Sequence, residues 1–462
     1  MKSEITCVSP IDGEVYASRT PATPEAVDAA LDRARAAQKA WRRVPLERRC
    51  AVLAEAVDRF VAEREQVGEE ITRQMGRPIA ASPKEADIMA ERARYMLQIA
   101  PQTLADADVS HAPGARQVIR REPVGVALVV VPWNYPYMTA VNSVWPALAA
   151  GNAVLHKPAA QTPLSAERFQ RVLREAGVPE GLFQPLHMDR ATTSRTIADR
   201  RVDFVAFTGS VGGGEAVQNA ADGNFPGMGL ELGGKDPGYV RADADIAKAV
   251  DDTVDGAFFN SGQSCCGLER LYVHADVYDD FVARFVEEVR SFRLGNPLDP
   301  NTSLGPMVRA GAADFVRGQI DAAVTAGATA HIDPADFPAA QAGTPYLAPQ
   351  VLTDVDHGMD VMTEESFGPV VGIMKVRDDN EAVELMNDSK FGLTAAIWTR
   401  DTDAAERLGD RLETGTVYAN KCDYLDPALA WVGVKQTGKG CTLSRFGYDQ
   451  LTRPKSFNLH TA

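Results

Sequence analysis

The chain has 462 residues, 45% of them hydrophobic and 24% charged, a globular composition in a chain too long for one ordinary core. Its formal net charge of −15 at pH 7 disfavours nucleic acid or an anionic membrane as the main partner, because both require basic surface. No apolar run is long enough to span a bilayer, and the N-terminus lacks the apolar core of a signal peptide, so we expect a cytoplasmic protein.

The predicted elements begin with helices. Residues 24–106 open on a Thr-Pro helix entry and carry apolar residues at helical spacing, with further helical patterns at 46–71 and 82–100. Residues 111–125 then alternate like an exposed pair of strands.

From residue 124 onward, short apolar strands alternate with helices. The alternation restarts after residue 235 and continues to residue 420, and a last strand is predicted at 452–460. This order predicts mostly parallel α/β sheets in two units.

Three polar stretches follow predicted strands, where ligands of α/β sheets bind. FTGSVGGGE (207–215) could bring backbone N–H groups to a phosphate, although a ligand-free turn is an equal reading. Glu231 of ELGGK could act as a general base or be a solvated loop residue. Asn134 of PWNYP could donate to an oxyanion or belong to a plain turn.

The six cysteines are sparse and irregularly spaced, which predicts neither a disulfide framework nor, without CxxC or HExxH, a metal site. Two of them, Cys265 and Cys266, are adjacent in FFNSGQSCCGLER (258–270). Ser, Gly and Gln before them indicate a tight loop at a helix end. A thiolate there attacks carbonyl carbons well, but a plain buried thiol is the alternative.

Seven motifs in one order resolve these alternatives: PWNYP, Lys157-Pro158, FTGS with Gly214, ELGGK, FFNSGQSC, EESFGP (364–369) and GVKQTGKG (433–440). Over nearly its whole length the chain resembles the aldehyde dehydrogenase superfamily, and its C-terminal half resembles bacterial semialdehyde dehydrogenases. The resemblance implies a Rossmann-like dinucleotide-binding domain built on a five-stranded sheet (1–106 and 124–233). It further implies an α/β catalytic domain (234–430) and a small β oligomerisation arm (107–123 and 445–462).

The resemblance also implies a reaction, the NAD(P)⁺-dependent oxidation of an aldehyde to a carboxylic acid. Cys265, and not Cys266, would be the nucleophile that forms a thiohemiacetal and then a thioester. Asn134 and the Cys265 backbone N–H would hold the oxyanion, and Glu231 would activate the hydrolytic water.

For NAD or NADP, the resemblance implies contacts from residues spread over five motifs. The implied cofactor-binding residues are Trp133, Lys157, Ala160, Gly209, Ser210, Gly214, Leu232, Glu365 and Phe367. Family members often carry a glutamate where this chain has Ala160, and that carboxylate would repel a 2′-phosphate. We therefore expect NADP⁺ to be tolerated or preferred, with Lys157 pairing the phosphate.

The substrate tunnel implied by position in the family is apolar to aromatic. Its expected walls are Tyr135, Met138, Trp145, Phe259 and the 422–431 loop, with Asp423 as a polar neighbour. The sequence offers no arginine pair for a carboxylate, which lowers the expectation of succinate semialdehyde.

Three alternatives are weighed against this reading. A CoA-acylating relative would lack the base that Glu231 provides here. A non-redox cysteine hydrolase would need a histidine in a matching motif, and none of the histidines lies in one. An inactive structural homologue would have lost the nucleophile, the base or the oxyanion donor, and all three are present. The expected partners are a small aldehyde and further copies of the chain, in a homo-dimer or tetramer, because isolated edge strands rarely stay unpaired.

Overall fold

A computed structural model describes residues 4–111 and 113–460. Its strands are β1 (Ile5–Val8), β2 (Val15–Arg19), β3 (Ala107–Asp108), β4 (Ala115–Pro123), β5 (Val126–Val130), β6 (Ala153–Lys157), β7 (Phe183–Pro185), β8 (Phe204–Thr208), β9 (Gly227–Glu231), β10 (Asp236–Val240), β11 (Leu268–His274), β12 (Thr329–Ala330), β13 (Gln350–Thr353), β14 (Val370–Val376), β15 (Thr394–Trp398), β16 (Thr416–Ala419), β17 (Gly438–Lys439) and β18 (Thr452–His460).

Fourteen α-helices lie in the described part of the chain. They are α1 (Pro24–Trp41), α2 (Leu46–Val61), α3 (Arg64–Met75), α4 (Lys84–Thr103), α5 (Pro136–Ala150), α6 (Leu164–Glu175), α7 (Arg190–Ile197), α8 (Val211–Ala220), α9 (Ile246–Phe258), α10 (Tyr278–Arg290), α11 (Ala310–Thr325), α12 (Asp360–Thr363), α13 (Asp379–Asn387) and α14 (Thr402–Gly409). Among the described residues, no helix combines the length and the apolar character needed to cross a membrane.

A six-stranded sheet in the order β17-β9-β8-β5-β6-β7 carries the first set of predicted motifs. Its five strands from β9 to β7 are parallel, and β17 joins β9 antiparallel at the edge. The parallel sheet expected from the strand–helix alternation is confirmed. Its strands β5, β8 and β9 end at residues 130, 208 and 231, so PWNYP, FTGS and ELGGK emerge at one edge.

The N-terminal helices pack on this sheet in one apolar cluster that includes Leu31, Phe60 and Trp145. The helical pattern at 46–71 is not one helix but two, because the chain breaks between α2 and α3. At the break, the carboxylate of Glu63 forms ion pairs with Arg168 and Arg171, contacts that the helical spacing could not reveal.

A seven-stranded sheet in the order β12-β13-β14-β11-β10-β15-β16 forms the second α/β unit. All neighbouring pairs from β13 to β16 are parallel, and β12 is an antiparallel edge strand. Helices α9 and α10 cover the sheet through a separate apolar cluster. Helix α9 packs in this second cluster, whereas Cys265 and Cys266, which follow it, pack with the first cluster.

A small antiparallel sheet, β18-β4-β3, joins the two segments predicted as the oligomerisation arm. Its long pairing runs from Thr452 opposite Pro123 to His460 opposite Ala115. Residues 1–3, 112, 461 and 462, which the predicted domains include, lie outside the described residues. The domain division itself stays a prediction.

Candidate active site

The chain between α9 and β11 is bent by three consecutive residues with positive φ: Asn260 at 54°, Ser261 at 57° and Gly262 at 70°. At Gly262 a Cβ would lie 2.2 Å from the Gly368 carbonyl oxygen, so only glycine fits there. This turn places the half-buried Cys265 immediately before β11.

Gln263 holds the turn in place through both ends of its side chain. Its Nε2 donates to the Asn260 carbonyl at 3.0 Å, and its Oε1 accepts from the Val308 N–H at 2.8 Å. Its own carbonyl accepts from Asn134 Nδ2 at 3.1 Å. The amide of PWNYP and the cysteine loop, 129 residues apart, are thereby tied together.

Cys265 lies where two cavities meet, and it lines both. The first cavity measures about 200 Å³ and also contains Glu231. The second measures about 550 Å³ and contains Asn134 and Glu365. A thiol at such a junction can react with a molecule in one cavity while a second molecule occupies the other.

Glu231 ends β9 on the wall of the first cavity. Its Oε1 accepts from Thr442 Oγ1 at 2.6 Å, and its Oε2 accepts from Thr208 Oγ1 at 3.2 Å. Burial raises the pKa of Glu231 above its ordinary value, although the two threonine hydrogen bonds oppose that shift. A carboxyl with a raised pKa is a stronger base once ionised, as activation of water requires.

Asn134 is held by a buried ion pair that sequence reasoning missed. Arg77 Nη1 lies 2.5 Å from Glu85 Oε2, with both side chains almost fully buried. The same guanidinium donates to the Asn134 carbonyl and, from Nε, to Asn260 Oδ1 at 3.2 Å. Glu85 also accepts from the Tyr137 N–H at 2.8 Å, so the pair positions both PWNYP and the cysteine turn.

The second cavity fits a dinucleotide. Gly209 and Ser210 line it at the N-terminus of α8, where backbone N–H groups favour a phosphate. A Cβ on Gly209 would lie 2.7 Å from the ring of Phe207, so no side chain fits at this position and the backbone remains accessible from the cavity. Trp133 and Phe367 form an aromatic wall, with their rings 5.7 Å apart and edge to face.

Glu365 supplies the carboxylate of the second cavity. Its Oε1 accepts from the Gly234 N–H at 3.1 Å, and a Cβ on Gly233 would lie 2.4 Å from its Oε2. Burial, with Glu269 nearby, raises the pKa of Glu365 to about 7. A carboxylate in this place suits the hydroxyl groups of a ribose.

A second buried ion pair holds the EESFGP loop against ELGGK. Lys235 Nζ lies 2.5 Å from Glu269 Oε2, and that carboxylate also accepts from the N–H groups of Ser366 and Phe367 at 2.7 and 2.9 Å. Phe367 has a positive φ of 51°, which these contacts stabilise. Leu232 lies between the motifs and lines both cavities.

Three predicted cofactor residues do not line the second cavity. Lys157 ends β6, partly buried, and burial together with the nearby Arg190 lowers its pKa. Ala160 is exposed beyond it. Gly214 is buried inside α8, where a Cβ would lie 2.6 Å from a Leu232 methyl group, so its role is close packing.

The walls of the first cavity include most of the predicted substrate residues: Tyr135, Met138, Phe259, Asp423, Tyr424, Leu425 and Trp431. Trp145 is not brought to this cavity. It is 0% exposed, its Nε1 donates to the Leu53 carbonyl at 3.3 Å, and its ring lies 4.9 Å from Phe169. The C-terminal half of α5 runs away from the cavity into the core, which the motif alone does not reveal.

Cys266 has a different environment from Cys265. It is 3% exposed, and its Sγ donates to Asp423 Oδ1 at 2.9 Å, which also accepts from Ser264 Oγ at 2.9 Å. The neighbouring thiol, burial and Asp423 raise the pKa of Cys266 well above its ordinary value. All six cysteines are unbridged. Cys266 is a buried donor, whereas Cys265 faces both cavities.

The chain is similar to known proteins over almost its whole length. The profile of the aldehyde dehydrogenase family matches residues 1–457. Over 457 residues the chain is 37% identical to succinate-semialdehyde dehydrogenase, NADP(+), of Mycobacterium avium (strain 104), covering 98% of this chain and 96% of that protein.

Two solved structures are similar over almost their full length. Succinic semialdehyde dehydrogenase of Streptococcus pyogenes with NADP⁺ has a TM-score of 0.94 and 28% identity, covering 99% of this chain and 100% of that one. NADP-dependent glyceraldehyde-3-phosphate dehydrogenase of Bacillus halodurans C-125 has a TM-score of 0.93 and 33% identity, and the match covers 100% of this chain and 96% of that one. The chain therefore belongs to the aldehyde dehydrogenase family, and it is an oxidoreductase of aldehydes.

Proposed function

We propose that the protein oxidises an aldehyde to a carboxylic acid with NAD(P)⁺, using Cys265 as nucleophile, Asn134 as oxyanion donor and Glu231 as base. The observation that carries this proposal is the place of Cys265 between two cavities. One cavity holds a carboxyl suited to water activation, and the other fits a dinucleotide. Aldehyde and cofactor then meet at one sulfur atom.

In the first half-reaction, the Cys265 thiolate attacks the aldehyde carbon and forms a C–S bond. The carbonyl oxygen becomes an oxyanion, and Asn134 Nδ2 with the Cys265 N–H donates to it. A bound nicotinamide would supply the hydride acceptor for this step. With the hydride removed, the carbon remains bonded to the Cys265 sulfur as a thioester.

In the second half-reaction, Glu231 removes a proton from water, and the resulting hydroxide attacks the thioester carbon. The C–S bond breaks, the thiolate leaves and the acid is released. The hydroxyls of Thr208 and Thr442 orient the two carboxylate oxygens of Glu231 for this task. Neither threonine can take the proton itself, so the base function stays with Glu231.

For the cofactor, we propose that Ser210 and Gly209 hold the pyrophosphate, that Glu365 binds the nicotinamide ribose, and that Trp133, Leu232 and Phe367 enclose the ring. NADP⁺ is the proposed preference. It is supported by Lys157, whose pKa the nearby cation Arg190 helps to lower, and by the exposed Ala160 three residues further on, which offers no carboxylate to oppose a 2′-phosphate. The names of the similar proteins, which state NADP, agree.

We further propose a cytoplasmic homo-dimer or tetramer that does not bind nucleic acid, a partner that the net charge of −15 disfavours. The unbridged cysteines support a reducing compartment. The nine-residue pairing of β4 with β18 supports an arm at 107–123 and 445–462 that joins copies. Light scattering that gives a monomer at working concentration would refute the assembly.

The function is tested by following an aldehyde with either cofactor and quantifying the product. We expect one acid per reduced cofactor, no requirement for coenzyme A, and no dehydrogenase activity in Cys265→Ala. Release of an acyl-CoA only when coenzyme A is added would contradict hydrolysis by Glu231. Full activity of Cys265→Ala would contradict the whole scheme.

A further inference from the structure

The first cavity contains a buried cation that the reaction scheme does not use. Arg92 on α4 is 3% exposed and lines this cavity together with Cys265 and Glu231. Residues Glu85 and Ile88 precede it at helical spacing on the same wall. The sequence did not reveal it, because α4 lies far along the chain from every recognised motif.

Arg92 has no carboxylate partner among the described residues, where no ion pair includes it. Among the described residues, its Nη1 donates to the Met138 carbonyl at 2.8 Å and, over a longer 3.4 Å, to Asn142 Oδ1. Its Nε is buried without any hydrogen-bond partner. A guanidinium stays charged and offers five N–H donors in a planar fork, so most of this capacity is unused.

The other charged groups on the cavity wall have partners. Glu85 pairs with Arg77, Glu231 accepts from Thr208 and Thr442, and Asp423 accepts from Ser264 and Cys266. Two more charged groups, Lys84 and Asp255, are exposed and lie where solvent reaches them. A buried unpaired charge is costly to keep, so a bound anion that pairs with Arg92 would remove an unfavourable term.

We propose that Arg92 binds the carboxylate of a semialdehyde, an aldehyde whose far end carries an anionic carboxyl group. The proposal rests on the aldehyde oxidation proposed above. A carboxylate matches the guanidinium fork with two parallel hydrogen bonds, which a neutral chain end cannot form. The apolar walls from Met138, Phe259 and Trp431 suit the methylene groups between the two ends.

Arg92 could instead act on the reacting groups, since Glu231 and both cysteines lie close enough to influence it electrostatically. The two roles have different consequences. An anchor for the far carboxylate discriminates between substrates, whereas a residue that tunes Cys265 or Glu231 affects every aldehyde equally. The ratio of kcat/KM for charged and neutral aldehydes separates them.

The experiment measures kcat and KM for succinate semialdehyde against butanal, and for glutarate semialdehyde against pentanal. The chains compared are wild type, Arg92→Met, Arg92→Lys and Arg94→Met. Arg94 is the matched control, because it lies on the same helix but is exposed and pairs with Asp58 at the surface. Melting temperatures check that each chain is folded.

We expect wild type to favour the semialdehyde, and Arg92→Met to reduce that preference on the order of 100-fold, as loss of two charge-assisted hydrogen bonds predicts. The loss should appear mainly as a higher KM for the semialdehyde. Arg92→Lys should retain part of the preference for the semialdehyde, and Arg94→Met should keep all of it. An equal loss on both aldehyde classes would overturn the proposal in favour of a role at Cys265 or Glu231. A wild type that oxidises butanal as well as succinate semialdehyde would overturn it while leaving the proposed function intact.

A second measurement needs no variant and remains decisive if Arg92→Met does not fold. Succinate and butyrate are compared as inhibitors of butanal oxidation by wild type. Stronger competitive inhibition by succinate is the expected result, since only succinate has a carboxylate at the far end. Equal inhibition by the two acids overturns the proposal, and a wild type that oxidises no aldehyde refutes the function on which it rests.

Discussion

Replacing Arg77 by Met removes the cation that holds the active-site turns together. Its guanidinium pairs with Glu85 at 2.5 Å and also donates to Asn260 Oδ1 and to the Asn134 carbonyl. The Glu85 carboxylate, 0% exposed in its side chain, would remain buried without a counter-charge. Breaking a buried ion pair in this way costs about 3–5 kcal/mol.

The assay is urea unfolding combined with kcat measurement. We expect Arg77→Met to lower the free energy of unfolding by about 3–5 kcal/mol and to lower kcat, because Asn134 is no longer fixed opposite Cys265. Arg77→Lys should lose less stability and less kcat than Arg77→Met, since lysine keeps the positive charge but lacks the several N–H donors of the guanidinium.

The matched control is Arg73→Met on α3. Arg73 pairs with Glu69 at 2.9 Å, but both side chains are largely exposed, so the expected loss is at most about 1 kcal/mol. If Arg77→Met destabilises the protein no more than Arg73→Met, the ion pair does not organise the site and the reasoning is refuted.

Three further predictions concern the reaction. Cys266→Ala should keep most of the dehydrogenase activity in a steady-state assay, and an inactive folded variant would contradict the assignment of Cys265. Because burial raises the pKa of Glu231 and the base must be ionised, the deacylation rate should rise with pH at higher values than for an ordinary carboxyl, and Glu231→Gln should remove that rise. Ala160→Glu should raise the KM for NADP⁺ by about 10-fold or more through repulsion of the 2′-phosphate, with little change for NAD⁺, and equal changes would refute the cofactor proposal.

The parallel sheets and the convergence of three motifs could be predicted from the sequence. Asn134, Glu231 and the glycine loop follow parallel strands, and the ends of such strands meet at one edge of a sheet. The glycine at position 262 marked the sharp turn before Cys265. The local sequence pattern was sufficient to predict that these motifs meet, because parallel strands bring their carboxyl ends to the same edge of the sheet.

The supporting residues could not be predicted in the same way. Glu85 and Arg92 lie on α4, and Arg77 lies in the segment between α3 and α4. Charged residues ordinarily face solvent, and only tertiary packing buries these three. The helix pattern at 46–71 concealed a break for the same reason. Trp145 shares the spacing of Met138 on α5 but lies past the end of the cavity, a distance that periodicity does not encode.

The central claim is that Cys265 carries the acyl group and Glu231 releases it. Its most direct test is mass spectrometry of the Glu231→Gln enzyme after mixing with aldehyde and NADP⁺. The predicted result is one equivalent of reduced cofactor per chain and an acyl group on Cys265, with Cys266 unmodified. An acyl group on Cys266, or turnover without any covalent adduct, would contradict the account.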